Sequence, residues 1–154
     1  MVEFEKWETP FSAGGIYIVS VVWGQGPTEL SSSHPPRRFR FNFDQPKETP
    51  ALTSCIFSFD QERLYSLSFE VVSGFRVLDE HGLTEIWGAE DYDSQVLGNC
   101  FRVRNHSWHK ESPVTFLFGM PGEWSYLVTT LEDCLEVVSG SEPKIVDLGE
   151  VNPD

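Results

Sequence analysis

The strongest constraint on the fold is a two-residue alternation of apolar and polar side chains that recurs along the chain. In RRFRFNF, residues 37–43, the three phenylalanines share one parity, and the polar residues that separate them share the other. Because successive side chains of a strand point to opposite faces, this pattern predicts a strand with one buried face. The run SLSFEVVSGFRVL, residues 66–78, alternates in the same way, and Gly74 within it suggests a bulge or a close approach of another part of the chain to the backbone.

Further short apolar runs bounded by turn residues extend this all-β pattern. They predict strands at 16–23, 55–59, 83–87, 99–104, 113–118, 124–130, 134–139 and 144–148. The residues DEHG, 79–82, predict a hairpin loop, and helical signals are confined to 60–66 and 88–98. We therefore predict an antiparallel β-sandwich or barrel of about nine short strands, with one or two short helices.

The length of 154 residues fits a single β-rich domain spanning 1–154, with flexible ends at 1–12 and 149–154. No apolar run approaches the roughly 20 residues that a membrane-spanning helix needs. The first ten residues are acidic and end in Pro10, which does not fit a secretory signal. The three cysteines lie far apart, so we expect reduced, buried thiols in a cytoplasmic protein.

The charge of the chain restricts its partners. Eleven Lys and Arg stand against 24 Asp and Glu, which gives a net charge of −13 and a pI near 4.6. Nucleic acid and acidic membranes are poor partners for such a surface, because like charges repel. No Lys or Arg lies between Arg76 and Arg102, and Lys144 is the one basic residue after Glu123. Two acidic regions suit a basic partner, although an excess of acid also keeps proteins soluble.

The stretch NCFRVRNHSWHKE, residues 99–111, contains the best candidates for a metal site. Cys100, His106 and His109 form a C-x5-H-x2-H pattern. Structural zinc sites usually have four ligands arranged in close pairs, and no fourth ligand lies nearby in the sequence. We therefore predict no metal and no cofactor, and interpret the stretch as a strand followed by a polar loop in which Trp108 folds back on the core.

Catalysis and nucleic-acid binding find little support in the sequence. A G-x-S-x-G nucleophile elbow is absent, and the closest acid–base pair, Glu80 and His81, stands in a predicted turn. Arg37, Arg38 and Arg40 surround phenylalanines that could stack on bases, but exposing the arginine face would bury the phenylalanine face. We therefore predict no catalytic residues and favour a protein that is not an enzyme.

Two function classes remain. The first is an acidic protein that binds a basic protein partner through the residues Glu80, Trp87, Glu90, Asp91, Tyr92 and Asp93. The chain resembles bacterial immunity proteins in its small size and acidity, without a shared motif. The second class is a barrel or sandwich that holds a small ligand in an aromatic-lined pocket. In either class we expect a monomer or a homodimer.

Overall fold

The computed structural model describes residues 1–24, 29–33, 36–40 and 51–151, and it is mainly β. The chain divides into two compact units. Unit 1 consists of Met1–Gly14 and Val71–Glu142, and unit 2 consists of Gly15–Glu70 and Pro143–Asp154. Unit 2 thus consists of one segment that lies between the two parts of unit 1 in the sequence and a second segment that follows them.

The strands in the described residues are, in chain order, β1 (Glu3–Lys6), β2 (Ile16–Trp23), β3 (Glu29–Ser33), β4 (Pro36–Arg40), β5 (Leu52–Ser58), β6 (Arg63–Phe69), β7 (Val72–Asp79), β8 (Cys100–Arg104), β9 (Ser125–Val128), β10 (Asp133–Ser139) and β11 (Lys144–Glu150). The helical elements are a 3-10 turn (Glu80–Leu83), α1 (Thr84–Trp87), α2 (Ser94–Leu97), α3 (Ser107–Glu111) and α4 (Pro113–Leu117). Every strand pairing is antiparallel. The predicted class, mainly β with short helices, is confirmed.

Unit 1 is built on a five-stranded sheet in the order β1-β8-β9-β10-β7. The sheet has two different end strands, so of the two predicted forms it is not a closed barrel. The segment between β7 and β8 covers one face with apolar side chains from its helical turns. These pack with strand residues in one buried cluster made of Leu83, Ile86, Leu97, Phe101, Val103, Leu127 and Cys134. The cluster therefore holds in place the segment between β7 and β8, which contains Glu90, Asp91 and Asp93.

The predicted hairpin loop DEHG and the strand predicted after it at 83–87 are wrong, because the chain is helical from the 3-10 turn through α1. The Asp79 carboxylate begins the turn by accepting a hydrogen bond from the His81 backbone N–H at 2.8 Å. Leu83 and Ile86 are both buried. Their spacing of three residues fits one face of a helix and not the alternating faces of a strand.

The predicted strand at 113–118 is also wrong, because α4 occupies it. Pro113 stands in the first turn of this helix, where a missing N–H leaves no hydrogen bond unmade. Phe116 is buried, whereas Val114 and Leu117 are exposed. The apolar run therefore lacks the single buried face that a half-buried strand requires.

The alternating run 66–78 is not one strand. β6 ends at Phe69, β7 begins at Val72, and the two strands belong to different sheets. The pairing of β7 with β10 is irregular beside Gly74: Gly74 is aligned with Val138 and Val72 with Ser139, so Ser73 is the extra residue of a bulge on β7. The bulge predicted at this glycine is therefore present next to it. The helical signal predicted at 60–66 is wrong, because residues 59–62 form a turn and β6 begins at Arg63.

Burial within β7 is opposite to the prediction. The alternation assigns Phe75 and Val77 to the core, yet they are 38% and 44% exposed. Arg76, predicted to face solvent, instead pairs with Glu136 of β10, which is buried. An ion pair thus decides which face of this strand is covered, and the apolar pattern alone could not reveal it.

Unit 2 contains a four-stranded sheet in the order β11-β6-β5-β2 and a hairpin of β3 and β4. Every residue of β5 is buried. Cys55, Phe57 and Leu64 form a small core, against which Tyr17 and Leu148 pack. The strand predicted at 37–43 is present over Pro36–Arg40, and 41–43 lie outside the described residues.

The first residues of the chain differ from the flexible end expected over 1–12. β1 pairs with β8 in register, and Trp7 and Phe11 are buried. At the other end β11 continues to Glu150, while residues 152–154 lie outside the described part. Among the residues that the structure describes, no helix has the length and apolar character needed to cross a membrane.

Candidate functional site

The acidic residues predicted to bind a partner lie on the segment between β7 and β8. Glu90, Asp91 and Asp93 are exposed. Asp93 accepts a hydrogen bond from the backbone N–H of Gln95 at 2.9 Å and thereby caps α2. Within the described residues, Glu90 and Asp91 have no hydrogen bond or ion pair. Their carboxylates are therefore directed to solvent without a compensating cation in unit 1.

The two aromatic residues of the predicted site are partly buried in the protein itself. The Trp87 and Tyr92 rings meet edge to face with centroids 5.2 Å apart, and Tyr92 also contacts Phe4 and Phe101. The Trp87 indole Nε1–H donates to the Glu80 carbonyl oxygen at 2.9 Å. Both rings pack against the buried cluster of unit 1, so they hold the acidic segment in place as well as bordering it.

The pairing of β7 with β10 adds three acidic residues that the predicted site did not include. Asp79 lies directly opposite Asp133 in the antiparallel register. Beside them, the backbone N–H of Glu80 donates to the carbonyl oxygen of Glu132 at 2.8 Å. Glu132 and Asp133 are exposed in the turn that leads into β10. We call the acidic surface the set Asp79, Glu80, Glu90, Asp91, Asp93, Glu132 and Asp133.

His81 brings the acidic surface a side chain that can carry positive charge. Its ring Nδ1 lies 2.5 Å from the Asp79 carboxylate, and both side chains are largely exposed. The backbone and ring hydrogen bonds from His81 lower the pKa of Asp79 below its ordinary value. The sequence paired His81 with Glu80 as the nearest acid, but the geometry pairs it with Asp79.

The basic residues of unit 1 are mostly engaged elsewhere. Unit 1 contains fifteen acidic residues and five basic ones. Four of the five form ion pairs away from the acidic surface: Lys6 with Glu8, Arg76 with Glu136, Arg102 with Glu5 and Arg104 with Glu3. The fifth, Lys110, is exposed on α3. These pairings leave the acidic surface with a strong net negative charge within its own unit.

A second polar cluster lies inside unit 1, centred on Glu136. Its Oε2 accepts hydrogen bonds from His106 Nε2 at 2.6 Å and from Ser125 Oγ at 2.7 Å. Its Oε1 accepts two hydrogen bonds from the guanidinium of Arg76, at 3.0 and 2.7 Å. Burial by itself raises the pKa of Glu136, but the hydrogen bond and charge of His106, together with Arg76 and Ser125, hold it below its ordinary value.

This quartet of Glu136, His106, Ser125 and Arg76 contains the residue types of a catalytic triad, but not in the order that a triad needs. In a serine hydrolase the histidine stands between the serine and the acid, so that it can take the serine proton. Here the carboxylate of Glu136 stands between Ser125 and His106, and each donates to the same oxygen. Glu136, His106 and Ser125 are also buried, so the arrangement favours structural charge compensation over nucleophilic attack.

The three candidate metal ligands do not share a site. Cys100 is aligned with Val128 of β9, which is aligned with Leu135 of β10. Glu136 is the next residue, so its partner His106 lies on the opposite face of the sheet from Cys100. The Cys100 thiol accepts a hydrogen bond from Thr9 at 3.6 Å. His109 lies in α3 and not in the predicted loop. Its ring stacks on the ring of Phe116, with the ring centroids 4.6 Å apart.

The tryptophans of unit 1 occupy four separate environments. Trp7 meets Tyr126 edge to face, and Trp87 meets Tyr92. Trp108 packs against Phe116 and lies under the guanidinium of Arg76, as the predicted return of this side chain to the core implied. Trp124 lies under Arg104, 4.2 Å from its guanidinium carbon. Each ring is thus used in a local contact of its own.

The arrangement can present concentrated negative charge on a supported surface, and chemically it can attract cations. Sequence reasoning found the segment that contains Glu90, Asp91 and Asp93, but missed Glu132, Asp133 and the buried Glu136. No sequence signal marked Glu136, because the strand that contains it is apolar on both parities. No protein-family model, no curated protein and no solved structure matches this chain.

Proposed function

We propose that the protein is a binding protein whose acidic surface recognises a basic protein partner. The observation that supports this most strongly is the alignment of Asp79 with Asp133 across β7 and β10. Like charges directly opposite each other in a sheet are destabilising. Asp79 and Asp133, together with Glu80 and Glu132, concentrate negative charge at one end of the sheet, although the repulsion between the carboxylates lowers the stability of the fold.

The remaining acids of the surface fit the same role. Glu90 and Asp91 extend the negative charge onto a segment whose backbone is anchored by Trp87 and Tyr92. Exposed charges of this kind steer a cationic partner during diffusion and mainly accelerate association. The partly exposed rings of Trp87 and Tyr92 would add apolar contact area for such a partner.

A binding role accounts for the polar clusters better than a catalytic one. The ordered titratable groups, His106 and Glu136, are buried and hydrogen-bonded to each other. We therefore propose that the charge of the acidic surface, and not a reaction, is what the partner uses.

Capture of partners from the native lysate tests the proposal. One bait is the wild-type protein, and the second carries Glu90→Gln, Asp91→Asn and Asp93→Asn. These substitutions remove three charges, while the asparagine introduced at position 93 can still cap α2. The matched control carries Glu70→Gln, Glu111→Gln and Glu142→Gln, exposed acids outside the acidic surface. The net charge of the two triple variants is the same.

We expect a basic protein that the wild type and the control capture and that the surface variant captures weakly. With the purified partner, the surface variant should associate about ten-fold more slowly than the control at low salt, and the difference should shrink as salt rises. Equal capture by both triple variants would contradict the proposal. A small ligand held among aromatic side chains, the second function class, would then be the better explanation.

A further inference from the structure

We propose that His81 makes the acidic surface responsive to pH, so that the surface binds a cationic partner more weakly when His81 carries a proton. This inference rests on the proposed function and adds a form of regulation to it. Its basis is the position of one imidazole among the carboxylates of the acidic surface.

The geometry ties His81 to the acidic surface at two points. Oδ1 of Asp79 accepts from the backbone N–H of His81 at 2.8 Å and lies 2.5 Å from its ring Nδ1. The ring is nevertheless 83% exposed, so protons reach it freely. A proton on the ring therefore places a positive charge against the carboxylate that stands opposite Asp133.

The charged groups near this end of the sheet are nearly all of one sign. Asp79 comes from the end of β7, Glu80 from the 3-10 turn, and Glu132 and Asp133 from the turn that leads into β10. Glu85 on α1 is occupied differently, because its two carboxylate oxygens accept from the Ser107 backbone N–H. His81 is thus the group of this cluster whose charge changes between pH 5 and 8.

The direction of the effect follows from the sign of the charge. The hydrogen bond to Asp79, followed by the charges of Asp79 and Glu80, raises the pKa of His81 above its ordinary value. Below that raised value the ring is protonated and offsets part of the negative potential. As the pH rises through it, the proton leaves and the attraction for cations increases.

The test measures the affinity of the full-length protein for a decalysine peptide at constant low ionic strength from pH 5.5 to 8. The peptide is acetylated at its N-terminus and amidated at its C-terminus, and its lysine side chains stay protonated throughout this range, so the charge of the probe does not change. Wild type is compared with His81→Gln, which keeps a hydrogen-bonding side chain without a titratable proton. A third protein, Asp79→Asn, shifts the titration of His81, which is followed by NMR of its ring.

We expect the wild-type affinity to fall about three-fold from pH 8 to pH 5.5, a change of the size that one nearby charge produces in water. The affinity of His81→Gln should depend much less on pH. In Asp79→Asn, the midpoint of the pH dependence of binding and the midpoint of the His81 titration in the NMR spectra should both move to lower pH. An identical pH dependence in wild type and His81→Gln would overturn the role of His81 and leave the acidic surface as a binding site. Absence of binding by wild type at every pH would overturn both proposals.

Discussion

His106 Nε2 lies 2.6 Å from Oε2 of Glu136, and both side chains are sealed from solvent within unit 1. The other oxygen of the same carboxylate holds the guanidinium of Arg76, which in turn lies over the Trp108 ring. A buried carboxylate is tolerated only when its charge and hydrogen bonds are compensated. Removing one member of this group therefore leaves the others with an uncompensated charge or an unmade hydrogen bond, which lowers the free energy of unfolding.

Replacing Glu136 with Gln should destabilise the protein by about 3 kcal/mol, because the variant leaves Arg76 without its partner next to a poorly solvated amide. Urea denaturation at pH 7 measures the change. Glu142→Gln, at an exposed position, is the matched control and should stay within about 0.5 kcal/mol of wild type. A loss below about 1 kcal/mol in Glu136→Gln would show that the quartet contributes little to folding.

The advantage of wild type over Glu136→Gln should depend on pH in one direction. The folded state lowers the pKa of Glu136, so its contribution is complete above the unfolded pKa of about 4.3 and is lost as the pH falls through the lower, folded value. Denaturation midpoints of both proteins at pH 7, 5, 4 and 3 measure the difference. We expect it to narrow below about pH 4.3, and a constant difference down to pH 3 would contradict the assigned cause.

Asp133→Asn should stabilise the protein slightly, because it removes the like charge opposite Asp79. We expect the melting temperature to rise on the order of 1 °C at low salt and the gain to disappear at high salt, where exposed charges are screened. Calorimetry at two ionic strengths checks this, with Glu142→Gln as a control of equal charge change. A loss of stability at low salt would mean that the Asp133 carboxylate makes a contact of its own.

Gly98→Ala should cost roughly 3 kcal/mol, because the site combines a strained backbone with a collision. Gly98 ends α2 at a φ of +66°, and a Cβ there would meet the backbone oxygen of Ser12 at 2.5 Å. Gly149→Ala separates strain from collision, because Gly149 also has a positive φ but has no atom within 4 Å of the added Cβ. We expect the control to lose only about 1 kcal/mol in the same denaturation measurement. Equal losses would mean that the contact with Ser12 relaxes without cost.

The three thiols should be unreactive in the folded protein. Burial raises the pKa of Cys55 and Cys134 to about 11 and that of Cys100 to about 12, so the reactive thiolate is scarce at pH 8. We expect almost no reaction with Ellman's reagent in the native state and three equivalents in guanidinium chloride. One thiol reacting rapidly without denaturant would indicate local opening around it.

The position of the acidic surface was only partly available from the sequence. The interval without Lys or Arg between Arg76 and Arg102 identified one half, because the charge of residues can be read from the sequence without knowing the fold. The other half depends on the register that aligns Asp79 with Asp133, and a register between distant strands is set by long-range packing. The helical turn after Asp79 was missed because four residues offer too short a window to separate the period of a helix from that of a strand.

The quartet of Glu136, His106, Ser125 and Arg76 could not be predicted from the sequence, for a different reason. The strand containing Glu136 was predicted, but it is apolar on both parities, with Leu135 and Val137 on one face and Cys134 and Val138 on the other. The alternation of apolar and polar residues therefore did not indicate that the Glu136 side chain points into the interior. Its partners Arg76 and His106 come from other elements, and only the assembled sheet brings their charges together.

The pairing of β1 with β8 has a consequence for the order in which the protein can assemble. Glu3 pairs with Arg104, which lies 101 positions later in the sequence. β1 therefore cannot pair with β8 until the ribosome has synthesised most of the chain. The second unit is interrupted too, since its last strand, β11, is made after unit 1 is complete. Contacts so distant in sequence slow folding. We therefore expect a nascent chain that ends before β8 to keep β1 unpaired, and a ribosome-arrested series of lengths would show the tryptophan signal of Trp7 changing only after β8 has emerged.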